Sequence, residues 1–182
     1  MSFSALIQPG DSASGIERKD FIGSAVGDAG EKRFVRDCLS LSATKVGNIS
    51  RDNQRRKMII LVSDGTNTRY NAHSYDDTLR LLLSSNISVY AIGVDSAVIL
   101  RGTTLLSKYA HATGGDVYYA AGQSDLARLY AQATEQSRHQ YTLGYLPQET
   151  DRAKVYHSIE VRIRRPGLTL LTRNGYYSVS GR

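Results

Sequence analysis

Apolar positions follow a helical rhythm and a continuous rhythm in turn up to about residue 138, and a two-residue rhythm after it. Phe34, Val35, Cys38, Leu39, Leu41 and Val46 recur at near-helical spacing and predict a helix over about 34–47. Met58-Ile-Ile-Leu-Val62 is a short unbroken apolar run ending in Ser63-Asp64-Gly65. Such a run, stopped by a turn, predicts a strand buried on both faces. Ser74-Tyr-Asp-Asp77 reads as a helix start, with Ser74 as cap and acids in the first turn. Leu79, Leu82 and Leu83 give that helix its apolar stripe, and it ends near Asn86. Ile87–Val94 predicts a second buried strand, and a helix follows at about 104–112. After Gly114-Gly115, Asp116–Tyr119 predicts a third strand, and Ser124-Asp125 caps a helix running to about Arg138.

Strands alternating with helices through short connections predict an α/β fold, a three-layer sandwich with a mostly parallel sheet. The tail differs. Gln140–Leu146, Val155–Arg164 and Leu168–Val179 are strand-like, with turns at Pro147–Asp151 and Arg165-Pro166-Gly167. Ile159, Val161 and Ile163 alternate with Glu160, Arg162 and Arg164, so this run has one dry and one wet face. The expected organisation is an irregular segment over 1–33, an α/β unit over 34–138 and a C-terminal antiparallel β extension over 139–182. Residues 1–33 are rich in Gly, Ser and Asp and have weak periodicity.

Composition removes several function classes. The chain has 182 residues, 41% hydrophobic and 22% charged, an ordinary globular mixture. No apolar run approaches the ~18 residues of a membrane span, and the first ten residues do not read as a secretory signal. The lone cysteine, Cys38, sits in a predicted apolar stripe and is expected to pack. The net charge of +6 comes partly from two clusters, Arg51, Arg55, Arg56 and Lys57, and Arg162, Arg164 and Arg165. Basic clusters attract phosphates, which makes nucleic-acid binding an alternative, but no recognition helix or stacking platform accompanies them. His73, His111, His139 and His157 show no metal-ligand spacing. Most of the 12 tyrosines are expected to pack the tail against the sheet.

Ligands of open parallel sheets bind at the carboxyl ends of the strands, which directs attention to Ser63-Asp64-Gly65-Thr66-Asn67-Thr68. An acid held there by a rigid strand either faces a cation or caps its own turn; the hexapeptide leaves both open. Val62-Ser-Asp-Gly-Thr66 is also similar to the Asp-x-Asp-Gly-Thr loop of haloacid-dehalogenase-like phosphatases. That likeness makes a phosphoryl-transfer hydrolase using Asp64 a further alternative, but Val62 stands at the nucleophile position and cannot attack phosphorus. Thr113-Gly114-Gly115 offers either an anion-binding nest or, more ordinarily, a turn into a strand.

Met58-Ile-Ile-Leu-Val-Ser-Asp-Gly65 and Ser88-Val-Tyr-Ala-Ile-Gly-Val94 together resemble the second half of a von Willebrand factor type A (VWA) domain, and more closely the VWA-related family abundant in acidobacteria. Ala110-His-Ala-Thr-Gly-Gly115, Arg138-His-Gln-Tyr-Thr-Leu-Gly-Tyr-Leu-Pro147, His157–Leu168 and Thr172-Arg-Asn-Gly-Tyr-Tyr177 extend the resemblance over about 56–179. The resemblance implies a cation held by three loops and used to capture an acidic group on a partner. Only the third loop maps cleanly, onto Asp64. Asp11-Ser-Ala-Ser-Gly15 departs from Asp-x-Ser-x-Ser by its final Gly and has no buried strand before it, and Gly27–Arg33 lacks the expected hydroxyl. The metal-binding N-terminal half is therefore expected to be missing or altered, leaving Asp64 as the single metal ligand. Mg2+ or Mn2+ enters if a full-length form restores the loops. The loss of a first strand leaves a sheet edge unpaired, so the chain is expected to be marginal or self-associating unless residues 1–30 supply a substitute. The function implied is non-enzymatic binding of a protein partner or matrix, with Ser63, Asp64, Thr66 and Asn67 as partner contacts. The resemblance also implies an exported full-length form.

Overall fold

The computed structural model describes residues 3–7, 21–25, 35–49, 57–65, 72–94, 97, 105–145, 155–164 and 166–178. Its elements are β1 (Phe3–Ile7), β2 (Phe21–Ala25), α1 (Val35–Ile49), β3 (Lys57–Ser63), α2 (Tyr75–Ser84) and β4 (Ile87–Gly93), then α3 (Leu105–Ala112), β5 (Val117–Tyr119), α4 (Asp125–Arg138), β6 (Tyr156–Ser158) and β7 (Gly175–Tyr177). The fold is mixed α/β: β3, β4 and β5 form a parallel sheet in that order, and β6 and β7 a separate antiparallel pair.

The continuous apolar runs at 58–62 and 87–94 become β3 and β4, paired from Lys57 opposite Ile87 to Ser63 opposite Gly93. Because strand side chains alternate between faces, each run feeds two cores. Ile59, Leu61, Val89 and Ala91 join Val35, Leu39, Ala43 and Val46 of α1, Leu82 of α2, and Leu106 and Tyr109 of α3. Met58, Ile60, Tyr90 and Ile92 join Tyr118 of β5 and Leu129 and Ala133 of α4. Burying each large aliphatic side chain contributes about 1.5–3 kcal/mol, so these two strands carry much of the stabilisation.

Helix α2 begins as its sequence predicts. The Ser74 hydroxyl accepts the Asp77 N–H at 3.1 Å and donates to the Asp77 carboxylate at 2.6 Å. Its end is marked by Asn86 at φ 58°, left-handed backbone that Asn tolerates well. Helix α4 differs from expectation at its start. Ser124 makes no side-chain cap bond, and it is the Asp125 carboxylate that accepts the Ala121 N–H at 3.0 Å. In α1 the buried stripe is Val35, Leu39, Ala43 and Val46, while Leu41 faces solvent, since only the former recur every three to four residues. Cys38 is half-buried on that helix, and burial pushes its thiol above the ordinary value.

Two strands lie within residues 1–33, read from the sequence as irregular. β1 and β2 pair antiparallel, Phe3 opposite Ala25 and Ile7 opposite Phe21. Cα atoms of β1 repeatedly come within 8 Å of those of β3. Stacked sheets sit ~10 Å apart, so this closeness is lateral: β1 flanks the side of β3 that β4 leaves free. β1 precedes Asp11-Ser-Ala-Ser-Gly15, which itself lies outside the described residues, as do Gly27–Arg33.

The tail is less regular than its alternation predicts. Residues 140–145 form no strand, and 155–164 and 168–178 pair as strands only at Tyr156–Ser158 with Gly175–Tyr177. Tyr141 and Leu143 are exposed, so no burial rewards extension there. Gln140 is instead tied to the α/β unit, its side-chain amide donating to the Tyr90 hydroxyl at 2.7 Å. The tyrosines of the pair do pack: His157 stacks on Tyr176 at 4.9 Å, Tyr156 tilts against Tyr177 at 5.0 Å, and the Arg80 guanidinium of α2 lies 4.9 Å from the centre of Tyr177.

Thr113-Gly114-Gly115 is a structural junction. The Thr113 hydroxyl accepts the Val89 N–H at 2.9 Å and donates to the Tyr109 carbonyl at 2.8 Å. The Gly114 and Gly115 amides donate to the His111 and Ala110 carbonyls, so they do not form an open anion nest. A Cβ on Gly115 would stand 2.0 Å from the Val89 carbonyl oxygen, which forces glycine there. Thr113→Val, isosteric but without the hydroxyl, is expected to cost about 1–3 kcal/mol in urea unfolding because it strands the buried Val89 N–H. Thr113→Ser is expected to recover most of that loss.

Candidate functional site

The carboxyl end of the parallel sheet is assembled from three strand ends and two helix starts. At the end of β3 the Ser63 carbonyl accepts the Val94 N–H at 3.0 Å, which fastens the two strand ends together. The Ser63 hydroxyl accepts the Gly65 N–H at 3.2 Å, and Gly65 turns at φ 73°, a left-handed conformation suited to glycine. Between them Asp64 is 6% exposed and takes part in a polar interaction. A carboxylate so placed does not stay ionised without such partners.

At the end of β4, Gly93 makes room for an aromatic ring, since a Cβ there would stand 2.9 Å from Tyr119. The Tyr119 hydroxyl at the end of β5 lies 3.1 Å from that of Ser107 on α3. α2 ends a two-residue turn before β4 begins, so its start lies at the opposite, carboxyl end of the sheet. The first turn of α1 is drawn to the same place by Asp37. Its carboxylate accepts the N–H groups of Ala72 and His73, each at 3.0 Å, and its Oδ1 lies 2.9 Å from the His73 Nδ1. Burial raises the Asp37 pKa, but the Ala72 N–H, the His73 ring and the His73 N–H outweigh it and hold the carboxyl below its ordinary value. The connection that leaves Gly65 is therefore held at both ends, by Ser63 and by Asp37. The Arg36 Nε is buried without a hydrogen-bond partner among the described residues. Tyr109 packs on Tyr75 with ring centres 4.8 Å apart, and burial pushes its hydroxyl up to about 12.

Of the residues singled out from sequence, Asp64 and Ser63 lie at this edge, both buried, with the Ser63 hydroxyl turned inward to Gly65. Thr66 and Asn67 lie outside the described residues. Among the described residues no group of three or more His, Cys, Asp or Glu side chains could hold a metal ion. Asp64 and Ser63 alone do not make a magnesium site, because that ion demands several oxygens in near-octahedral array. The basic clusters also change character. Lys57 is buried within β3, Arg162 is engaged by Glu160 at 2.8 and 3.1 Å, and Arg51, Arg55, Arg56 and Arg165 lie outside the described residues. No helix among the described residues is long and apolar enough to cross a membrane.

Asp37 and His73 were not legible as a unit. They stand 36 residues apart, and the sequence places His73 on a surface with no partner to name. An acid in a first helical turn and a His just before a capping Ser are the only signals they give.

The Asp37 anchor has a pH signature. A carboxyl whose folded pKa lies below its unfolded value contributes stability that is complete above the unfolded pKa, near ~3.9, and is lost as pH falls through the folded one. Acidification below about pH 4 is expected to lower the melting temperature of the wild type more steeply than that of Asp37→Asn. Equal slopes in calorimetry across that window would dismiss the anchor. Comparison of the chain with protein-family models finds no match, and no curated protein matches it.

Proposed function

We propose that this chain is a VWA-like binding module of three-layer α/β architecture, without enzymatic activity, that recognises a protein partner or matrix at the carboxyl edge of its parallel sheet. The observation that carries the reading is the position of Asp64, buried at the end of a doubly covered strand and followed by a left-handed glycine, at the edge where open parallel sheets place their ligands. The parallel β3–β4–β5 order and the helices joined to both cores support the architecture. Ser63 and Asp64 are buried at the end of β3, and Thr66 and Asn67, which follow them in the sequence, are the candidate contacts. Val62 stands where the phosphatase-like loop would need its nucleophile and cannot attack phosphorus, which weighs against the phosphoryl-transfer alternative.

A displayed peptide library offers a direct test. Peptides selected on the wild type should lose at least about tenfold in affinity, a change of about 1.4 kcal/mol, on the Thr66→Ala/Asn67→Ala double variant, with the melting temperature unchanged. Ligands that bind both forms equally would place recognition elsewhere. Turnover of an aryl phosphate that requires magnesium and disappears in Asp64→Asn would replace the binding reading with a phosphoryl-transfer one.

A ligand that binds only the folded state raises its stability by mass action. Since the described residues fall short of a magnesium site, millimolar Mg2+ or Mn2+ is expected to leave the melting temperature of this chain unmoved. A rise that Asp64→Asn abolishes would show that a cation site forms around this carboxylate.

A further inference from the structure

The C-terminal strand pair has one covered side and one open side. β7 pairs with β6, and the residues just before β7 are held on the α/β unit, where Arg173 bridges Thr113 and the Asn174 N–H donates to the Ala112 carbonyl at 3.2 Å. β6 has β7 as its one strand neighbour among the described residues. The Ser178 N–H donates to the Val155 carbonyl and the Ile159 N–H to the Asn174 carbonyl, so odd-numbered residues of this arm turn their backbone polar groups toward β7. By the two-residue period, those of Tyr156 and Ser158 point away from it, and an arm that stays extended past β6 carries the same period to Glu160 and Arg162. Burial alternates along the arm, with Ile159 and Val161 partly covered and Glu160 and Arg162 exposed. Val155, Tyr156 and Ile163 are exposed large apolar side chains on the same open arm. An unpaired edge of this kind is a template for another strand.

The charge order selects which strand fits. Ser158-Ile-Glu-Val-Arg-Ile-Arg164 reads as its own antiparallel complement about Val161. In that register Glu160 of each copy faces Arg162 of the other, Ile159 faces Ile163, Val161 faces itself and Ser158 faces Arg164. A shift of the centre to residue 160 sets Glu160 against Glu160, and a shift to 162 sets Arg162 against Arg162, and like charges directly opposite are destabilising. We propose that the arm 158–164 pairs with the same arm of a second copy of this chain, antiparallel and centred on Val161. The Glu160–Arg162 ion pair now closed within one chain at 2.8 Å is exchanged for two pairs between chains. The exchange fixes register more than affinity. A single strand pairing buries far less than the ~1,600 Å² of a standard interface, so the dimer is weak and forms at high concentration.

The register makes the proposal testable. Residues facing each other across the Val161 axis form a non-hydrogen-bonded pair with Cα atoms about 4.5 Å apart, within disulfide reach. In a Cys38→Ser background, Val161→Cys should give a covalent dimer on mild oxidation in several-fold higher yield than Ile163→Cys, whose mate would be residue 159. In sedimentation equilibrium at high concentration, Glu160→Arg should halve the apparent mass to that of the monomer. Glu160→Arg/Arg162→Glu should restore the dimer. Both side chains are well exposed, so these charge reversals leave folding intact. A monomer at every concentration, equal cross-linking at 161 and 163, or a dimer indifferent to the single reversal would each overturn the proposal.

Discussion

The structure depends on β3 and β4 lying side by side in parallel with both faces dry. Two adjacent strands of seven residues turn alternate side chains into two separate cores, and neither core closes without helices from flanking sequence. That requirement explains why the apolar residues of α1, α2 and α3 converge on Ile59, Leu61, Val89 and Ala91, while α4 takes Ile60 and Tyr90. It also explains where glycine is compulsory. Gly115 passes against the Val89 carbonyl, and Gly93 lies under Tyr119, because a parallel strand must be reached by a close crossover. Thr113 completes the same junction with a hydroxyl where regular strand pairing supplies no acceptor for Val89.

Unbroken apolar runs and helical stripes made the α/β unit legible, because burial on both faces leaves no choice of polarity at Met58–Leu61 or Val89–Ile92. Ser74 was legible as a cap for the same local reason. The misreadings share a cause in long-range packing. Ser124 resembles a cap, but its backbone is already helical, at φ −63° and ψ −24°, and its side chain makes no cap bond. Leu41 matches the apolar spacing only loosely, and the helix rotates it to solvent while Ala43 enters the core. In the tail, alternation promised three strands, but alternation alone cannot supply the partner that extended backbone needs. Residues 140–145 pair with no strand among the described residues, and the hairpin pairs only at Tyr156–Ser158 with Gly175–Tyr177, where Arg80 of α2 lies over Tyr177. β1 and β2 were missed because the Gly-rich, Ser-rich composition around them gives little periodic signal.

Asp64 and Asp37 divide the work at the sheet's carboxyl end in different ways. Asp64 sits on a strand whose position is dictated by its neighbours, so the sequence identified its place correctly from the run before it. Asp37 acts across 35 and 36 residues on two backbone amides that precede α2, and its effect is to tie two helix starts together. The first is a consequence of the buried sheet and the second of the surface that covers it. The binding proposed for Thr66 and Asn67 gains from both, since fixing Gly65 and Ala72 on either side of them reduces the conformational freedom that binding would otherwise remove.

The sheet edges differ in what adjoins them. β5 is only three residues long, which leaves little template beyond Tyr119. β3 is flanked by β1 on the side away from β4. β6 is equally short and has β7 as its one strand neighbour among the described residues. The charges just beyond it, Glu160 and Arg162, are exposed and alternate with the partly covered Ile159 and Val161, so in an extended arm they stand clear of a strand arriving edge-on. Charges that face sideways or inward blunt an edge; charges that alternate in sign along the exposed face instead discriminate among arriving strands. That difference turns the same unpaired backbone from a general aggregation hazard into a surface with a preferred register.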